Sequence, residues 1–367
     1  LREVVRKVGQ RFMAGFHGQA ASPEIRMLIR DFGVGHVVLF ARNVDAPEQV
    51  ADLVRELQAI ARAAAHEQPL MVAVDQEGGR VARMREPWTV WPAQRIVGRA
   101  GSADLARRRG AALGAELSAC GIRLDFAPVV DLDTNPNSPV IGDRSFGDDP
   151  DTVARLGVAV IQGLQENGVA ACAKHFLGQG DTDLDPHLDL PAVHHPRPRL
   201  EEREMRPFRA AVQAGVAGVM TAHVVLTDLD DTLPVTLSPR VVKELLRGQL
   251  AYDRVVFSDD MEMQAVAKRW KPSESAVLAA LAGCDVVEYC ADHAQQVDAL
   301  EGLIRAVEGE RISWTALDDS VERVRALKRQ YLIPHRDPDP RLARQAAGAG
   351  EHQAVAREIG DRGGMVV

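Results

Sequence analysis

Cysteine is scarce in this chain, and long apolar runs are missing. The four cysteines, Cys120, Cys172, Cys284 and Cys290, lie in apolar surroundings without CxxC spacing. That excludes a disulfide framework and a thiolate metal site and reads as buried, reduced thiols, which suits a cytoplasmic location. No run of about 18 apolar residues occurs, as a membrane span would need. The opening LREVVRKVGQRF also lacks the apolar core and small-residue cleavage site of a leader, so no membrane partner is expected. Positive charge is not in surplus either: the net charge is −8 with both signs interspersed, which leaves no basic face for nucleic acid and no polybasic cluster for anionic lipid. The expected partner is a small molecule. HxH, HExxH, GxGxxG and P-loop patterns are absent, so neither a metal nor another cofactor is expected. No feature assigns an oligomeric state.

What the chain does contain is alternation. With 46% hydrophobic and 26% charged residues in 367, it has enough material for one large core. Short β-branched runs recur near residues 11–16, 36–40, 70–74, 122–126, 169–173, 216–220, 254–258 and 284–288, with longer helical patterns between them. Val50, Leu53, Val54, Leu57, Ile60 and Ala61 form one 3.6-residue stripe. Ser22-Pro23 and Ser238-Pro239 place a capping hydroxyl before a proline at the first helical position. Eight strand–helix units predict an α/β fold, a closed (β/α)8 TIM-type barrel in a single domain over 1–334, with an open doubly wound sheet as the alternative. Residues 335–367 shift to Arg, Ala, Gly and Pro and read as a linker and one helix.

In such a barrel the site lies at the carboxyl ends of the strands. Arg42 and Asn43, Asp75, Asp131, Lys174 and His175, Thr221 and His223, and Asp259 and Asp260 all follow apolar runs. Clustered charges without a ligand must be paired or solvated at a cost. In RVVFSDDMEM, strand alternation allows only one of Asp259 and Asp260 to point along the barrel axis; the competing reading is a cap on the next helix. In VAVDQEGGRVARM, the glycine pair would let the backbone approach a ligand, and Asp75 with Arg80 or Arg83 could fix hydroxyls or merely shape the loop. KHFLGQGDTDLDPHLDLP opens a stretch to Pro198 without helical or strand pattern, the kind of connection that is functional or disordered. Within it Asp185 stands two residues before His187 with Pro186 stiffening the link; an aspartate so placed can orient an imidazole for proton transfer. His194 and His195 read as loop surface, and His17, His36 and His66 as structural or exposed.

Together, DQEGGRVARM, FAPVVDLDTNPNSPVIGDRSFG, KHFLGQGDTDLDPHLDLP and VVFSDDMEM give the chain a resemblance to glycoside hydrolase family 3, in particular to its single-barrel β-N-acetylhexosaminidases of bacterial cell-wall recycling. The match runs over about 5–330. The resemblance implies a retaining exo-acting glycosidase for terminal β-linked N-acetylglucosamine, working on peptidoglycan fragments. It implies Asp259 as nucleophile, His187 assisted by Asp185 as the acid/base pair, and Asp75, Arg83, Arg144, Lys174 and His175 as substrate-binding residues. Arg144 enters by the resemblance alone. Leu177 and Gln179 stand where the family usually has proline and a second histidine, which alters loop stiffness and one polar contact. β-Glucosidase, phosphorylase and non-catalytic sugar-binding readings share this framework. The few Trp and Tyr leave little material for long stacking platforms and favour a short pocket over a polymer cleft.

Overall fold

A computed structural model describes residues 2–364. Eight parallel strands close into a barrel: β1 (Phe12–Ala14), β2 (His36–Leu39), β3 (Met71–Val74), β4 (Leu124–Asp125), β5 (Ala170–Phe176), β6 (Gly218–Thr221), β7 (Val255–Asp260) and β8 (Val286–Tyr289). Closure comes from β1, which pairs with β8 at Phe12–Val287 and with β2 at Met13–His36. Every expected strand is present, and the closed ring excludes the open-sheet alternative.

The strand period of two sorts side chains into separate cores. Met13, Val38, Ala73, Leu124, Cys172, Phe257 and Val286 fill the barrel. Phe12, Val37, Val72, Ala171, Val256 and Val287 face the surrounding helices. The expected stripe on helix Pro47–Ala63 buries Val50, Leu53, Val54, Leu57 and Ala61, with Ile60 partly buried against the same core. Both Ser-Pro starts are caps: Ser22 Oγ accepts from Ile25 N and Ser238 Oγ from Val241 N, each at 3.3 Å.

Helix Trp314–Leu332 closes the end opposite the site, adding Val324, Leu327, Tyr331 and Leu332 to the interior cluster. Its Lys328 is fully buried, donating to Gln10 Oε1 at 2.7 Å and Gly35 O at 2.9 Å. Burial lowers its pKa to about 7.

Beyond the barrel, the segment expected to hold one helix holds two, Pro340–Ala346 and Gly350–Gly363. The apolar Ala343, Val355, Ala356 and Ile359 join the outer core. Glu116 accepts from Gly348 N at 3.0 Å and pairs with His352 Nδ1 at 3.1 Å. Arginine- and alanine-rich composition hid this apolar face.

Candidate active site

The site begins where β3 ends. Alternation continues past Val74, so Asp75 and Glu77 share one side, and Gln76 turns the other way to hold the loop. Gln76 Oε1 accepts from Arg83 N at 2.8 Å and Met84 N at 3.0 Å, while its amide donates to Met84 O at 2.7 Å. This fixes Arg83. The glycine pair that follows is packed against the protein's own atoms and does not line the cavity. Gly78 has φ 86°, and a Cβ there would lie 2.7 Å from Arg109 Nη2 and 2.8 Å from Pro92 O.

Lys174 ties the two carboxylates together. Its Nζ lies 2.7 Å from Asp75 Oδ1 and 2.7 Å from Glu77 Oε1. Arg144 grips Glu77 through two bonds of 2.9 and 2.8 Å, and Arg83 reaches Asp75 Oδ2 at 3.2 Å. Burial opposes ionisation of Asp75, but Lys174 and Arg83 outweigh it and hold its pKa below the usual carboxylate range. Arg144 and Lys174 do the same for Glu77 more strongly, and the two carboxylates keep Lys174 protonated well past its ordinary value against burial. Positive charge is thus fixed in a nearly dry place.

Two β-bulges explain why neighbouring residues both reach the cavity. Between β5 and β6 the register passes from Ala173–Val219 to Phe176–Thr221, and between β7 and β8 from Phe257–Val286 to Asp260–Glu288. An extra residue in one strand re-aims the side chains around it. Lys174 and His175 therefore both line the cavity, as do Asp259 and Asp260; the expectation that only one aspartate could point inward is corrected. His175 is held by Asp131, whose Oδ2 accepts from its backbone N at 2.9 Å and lies 2.8 Å from Nδ1. Nε2 is left to face Arg144 Nη2 at 3.4 Å, an arrangement in which Nδ1 carries the hydrogen.

Asp259 Oδ1 accepts from Asp260 N at 2.8 Å, and no basic side chain pairs with it among the described residues. Burial, with Glu262 and Asp259 adding like charge, raises the Asp260 carboxyl to about 7. Asp260 also accepts from Glu262 N at 3.0 Å, in the turn ahead of helix Gln264–Ala267; that helix has Met263 at its cap position and no side-chain cap, so the capping alternative does not hold. His223 stands behind, bonded to Thr236 Oγ1 at 2.8 Å and Asp260 O at 3.0 Å.

In the long loop Asp185 Oδ1 accepts from His187 N at 2.9 Å and lies 2.8 Å from Nδ1, leaving Nε2 free. The loop is fastened to the segment following Asp259: Ala265 N donates to Pro186 O at 2.9 Å, and Lys268 Nζ to Leu188 O at 2.6 Å. It is less irregular than expected. It contains a 3-10 turn, Gln179–Asp181, and a short strand, Ala192–Val193, paired with Val225–Leu226, and helix Arg197–Glu202 starts at its end. His195, read as surface, is partly buried against Asp181.

These pieces enclose a cavity of about 330 Å³ lined by Asp75, Arg83, Arg144, Lys174, His175, Asp185, His187 and Asp259, with Asp260, Gln179 and Glu288 among its other walls. Its size falls in the range of small-molecule sites. Arg42, Asn43, Thr221 and His223 are not in it. Arg42 and Asn43 instead hold the β1 loop through Phe16 O, and Thr221 bonds Thr236. Glu77, not among the expected site residues, joins the Lys174–Arg144 network, and its two-residue spacing from Asp75 is the signal for it. Among the described residues no group of three or more His, Cys, Asp or Glu could hold a metal ion.

Replacing Lys174 with methionine leaves Asp75 and Glu77 facing each other in a buried site. Unfolding by denaturant at pH 7 is expected to show a loss of roughly 3–5 kcal/mol, the cost of breaking a buried pair. Because the folded-state pKa values of Asp75 and Glu77 are depressed, the wild-type advantage is fully present above their unfolded values and fades as pH falls through the folded ones. The two unfolding curves should converge in acid.

The model of the "Glycosyl hydrolase family 3 N terminal domain" matches residues 3–327. Beta-hexosaminidase A of Pseudoalteromonas piscicida is 32% identical over 92% of this chain, which spans only 60% of that protein's length. The structure of a family 3 beta-N-acetylglucosaminidase from Paenibacillus sp. str. FPU-7 superposes with a TM-score of 0.92 at 41% identity, covering 99% of this chain and 69% of that one. NagZ from Neisseria gonorrhoeae, solved in complex with N-trifluoroacetyl-D-glucosamine, gives a TM-score of 0.78 at 32% identity and covers 96% of this chain and 98% of that one. The barrel is thus nearly the whole of one relative and part of the others.

Proposed function

Because this chain belongs to glycosyl hydrolase family 3, we propose that it is a β-N-acetylhexosaminidase releasing terminal β-linked N-acetylglucosamine, with peptidoglycan fragments as the substrate class. The observation that carries this reading is a single cavity shared by Asp259, the Asp185–His187 pair and the Lys174–Arg144 cation network. The names of the hexosaminidase and N-acetylglucosaminidase relatives, and the N-acylated glucosamine bound to one of them, supply the sugar.

In the first step an Asp259 oxygen attacks the anomeric carbon, the bond from that carbon to the leaving oxygen breaks, and His187 Nε2–H gives that oxygen its proton. In the second, His187 takes a proton from water as the water oxygen displaces Asp259, so configuration is retained. Asp185 fixes the ring through Nδ1 and stabilises its charged form, a service of the kind carboxylates give to catalytic histidines. Asp75, Arg83, Arg144, Lys174 and His175 bind sugar hydroxyls and hold the anomeric carbon in line. Four free, buried cysteines fit a reducing compartment such as the cytoplasm.

A histidine acid/base carries no negative charge to repel phosphate, which favours phosphorolysis as the second reading. Turnover of p-nitrophenyl N-acetylglucosaminide and p-nitrophenyl glucoside, each with and without phosphate, separates the readings. The expected result is turnover of the N-acetylglucosaminide, phosphate-independent, with free sugar as product. Preference for the glucoside, or a sugar 1-phosphate product, contradicts it.

A further inference from the structure

Glu288 is left without a task by this mechanism. The same alternation that sends Val287 and Tyr289 to the outer core turns Val286 and Cys290 inward, and Glu288 with them. It lines the cavity at 4% exposure. Oε1 accepts only the thiol of Cys290, at 3.0 Å, and Oε2 has no partner among the described residues. Buried carboxyl oxygens are normally satisfied, and an exception asks for a cause.

Four carboxylates here have cationic or imidazole partners: Asp75 and Glu77 share Lys174, Asp131 holds His175, and Asp185 holds His187. Asp259 and Asp260 each accept from a backbone N–H instead. Glu288 has neither among the described residues. Burial, then Asp75 just past β3 and Asp260 and Asp259 from β7, push its carboxyl well above the usual range, so it keeps its proton and offers an O–H. A protonated acid is a donor that adds no charge beside the nucleophile.

We propose that Glu288 is a substrate-binding residue whose carboxyl group, on the cavity wall beside Asp75 and Asp260, donates a hydrogen bond to one hydroxyl of the sugar. This rests on the glycosidase reading above. Packing alone would explain the inward direction but not the choice of a carboxyl where its strand neighbours are apolar.

The test uses the full chain, wild type and Glu288→Leu, with p-nitrophenyl N-acetylglucosaminides lacking the 3-, 4- or 6-hydroxyl singly. In the wild type one deoxy substrate is expected to lose about tenfold in kcat/KM, mainly through KM. Glu288→Leu should show a similar loss on the parent substrate and no further loss on that one deoxy analogue, with the other two penalties unchanged. Glu288→Gln, which keeps an N–H donor, should recover part of the parent activity; if the leucine variant does not fold, the glutamine variant must change that same single penalty by more than about threefold. Identical penalties in variant and wild type overturn the role of Glu288 alone. A wild type inactive on every aryl hexoside overturns the glycosidase reading with it.

Discussion

Asp259→Ala is expected to lower kcat on p-nitrophenyl N-acetylglucosaminide by roughly 10⁴-fold or more, with the fold and the unfolding midpoint nearly intact. The magnitude follows from the role: removing a nucleophile abolishes the covalent route and leaves only binding and electrostatics. Stability should change little because, among the described residues, no basic side chain pairs with Asp259 and its side chain bonds only the neighbouring Asp260 N. Lys174 behaves oppositely, being bonded to two buried carboxylates. A loss of activity in Asp259→Ala matched by a loss of structure would mean that the residue supports the barrel. Small anions such as azide, placed in the space the side chain leaves, should restore part of the rate and yield a glycosyl azide of inverted configuration.

His187→Ala should cost between about 10² and 10⁴ in kcat, the usual contribution of a positioned acid/base group. The size should depend on the leaving group. A dinitrophenolate leaves without a proton, so its first step survives the substitution; the second step then becomes slow, and a burst of phenolate precedes a slow steady state. Poor leaving groups lose the first step as well and show no burst. Asp185→Asn should fall in the same direction by less, because the ring keeps its place on the loop but loses the carboxylate that accepts from Nδ1. Since His187 is two-thirds exposed at its side chain, neither change should shift the unfolding midpoint appreciably.

Much of this architecture was legible because it is local. Apolar β-branched runs mark all eight barrel strands, and residues just beyond them, Asp75, Lys174, His175 and Asp259, line the cavity at their carboxyl ends. Period-two reasoning also contained Glu77 and Glu288, one two residues past Asp75 and the other inward on β8. Other features depend on partners distant in sequence. The bulges that turn Lys174 with His175 and Asp259 with Asp260 toward one cavity exist only in pairing with β6 and β8. Arg144 sits in a short 3-10 turn, Gly142–Arg144, that has no periodicity to read. Arg42 and His223 are polar residues at strand ends that bond to backbone carbonyls of neighbouring segments, a distinction no strand-end rule can make.

The central claim is that a sugar becomes covalently attached to Asp259. Incubating the intact protein with a slow 5-fluoro N-acetylglucosaminyl fluoride, followed by intact-mass and peptide mass spectrometry, tests it most directly. The account predicts a mass gain of one fluorosugar, carried on the peptide containing Asp259 and absent from the Asp259→Ala variant. A label on another residue, or steady consumption of the reagent by a protein that never gains mass, would contradict it.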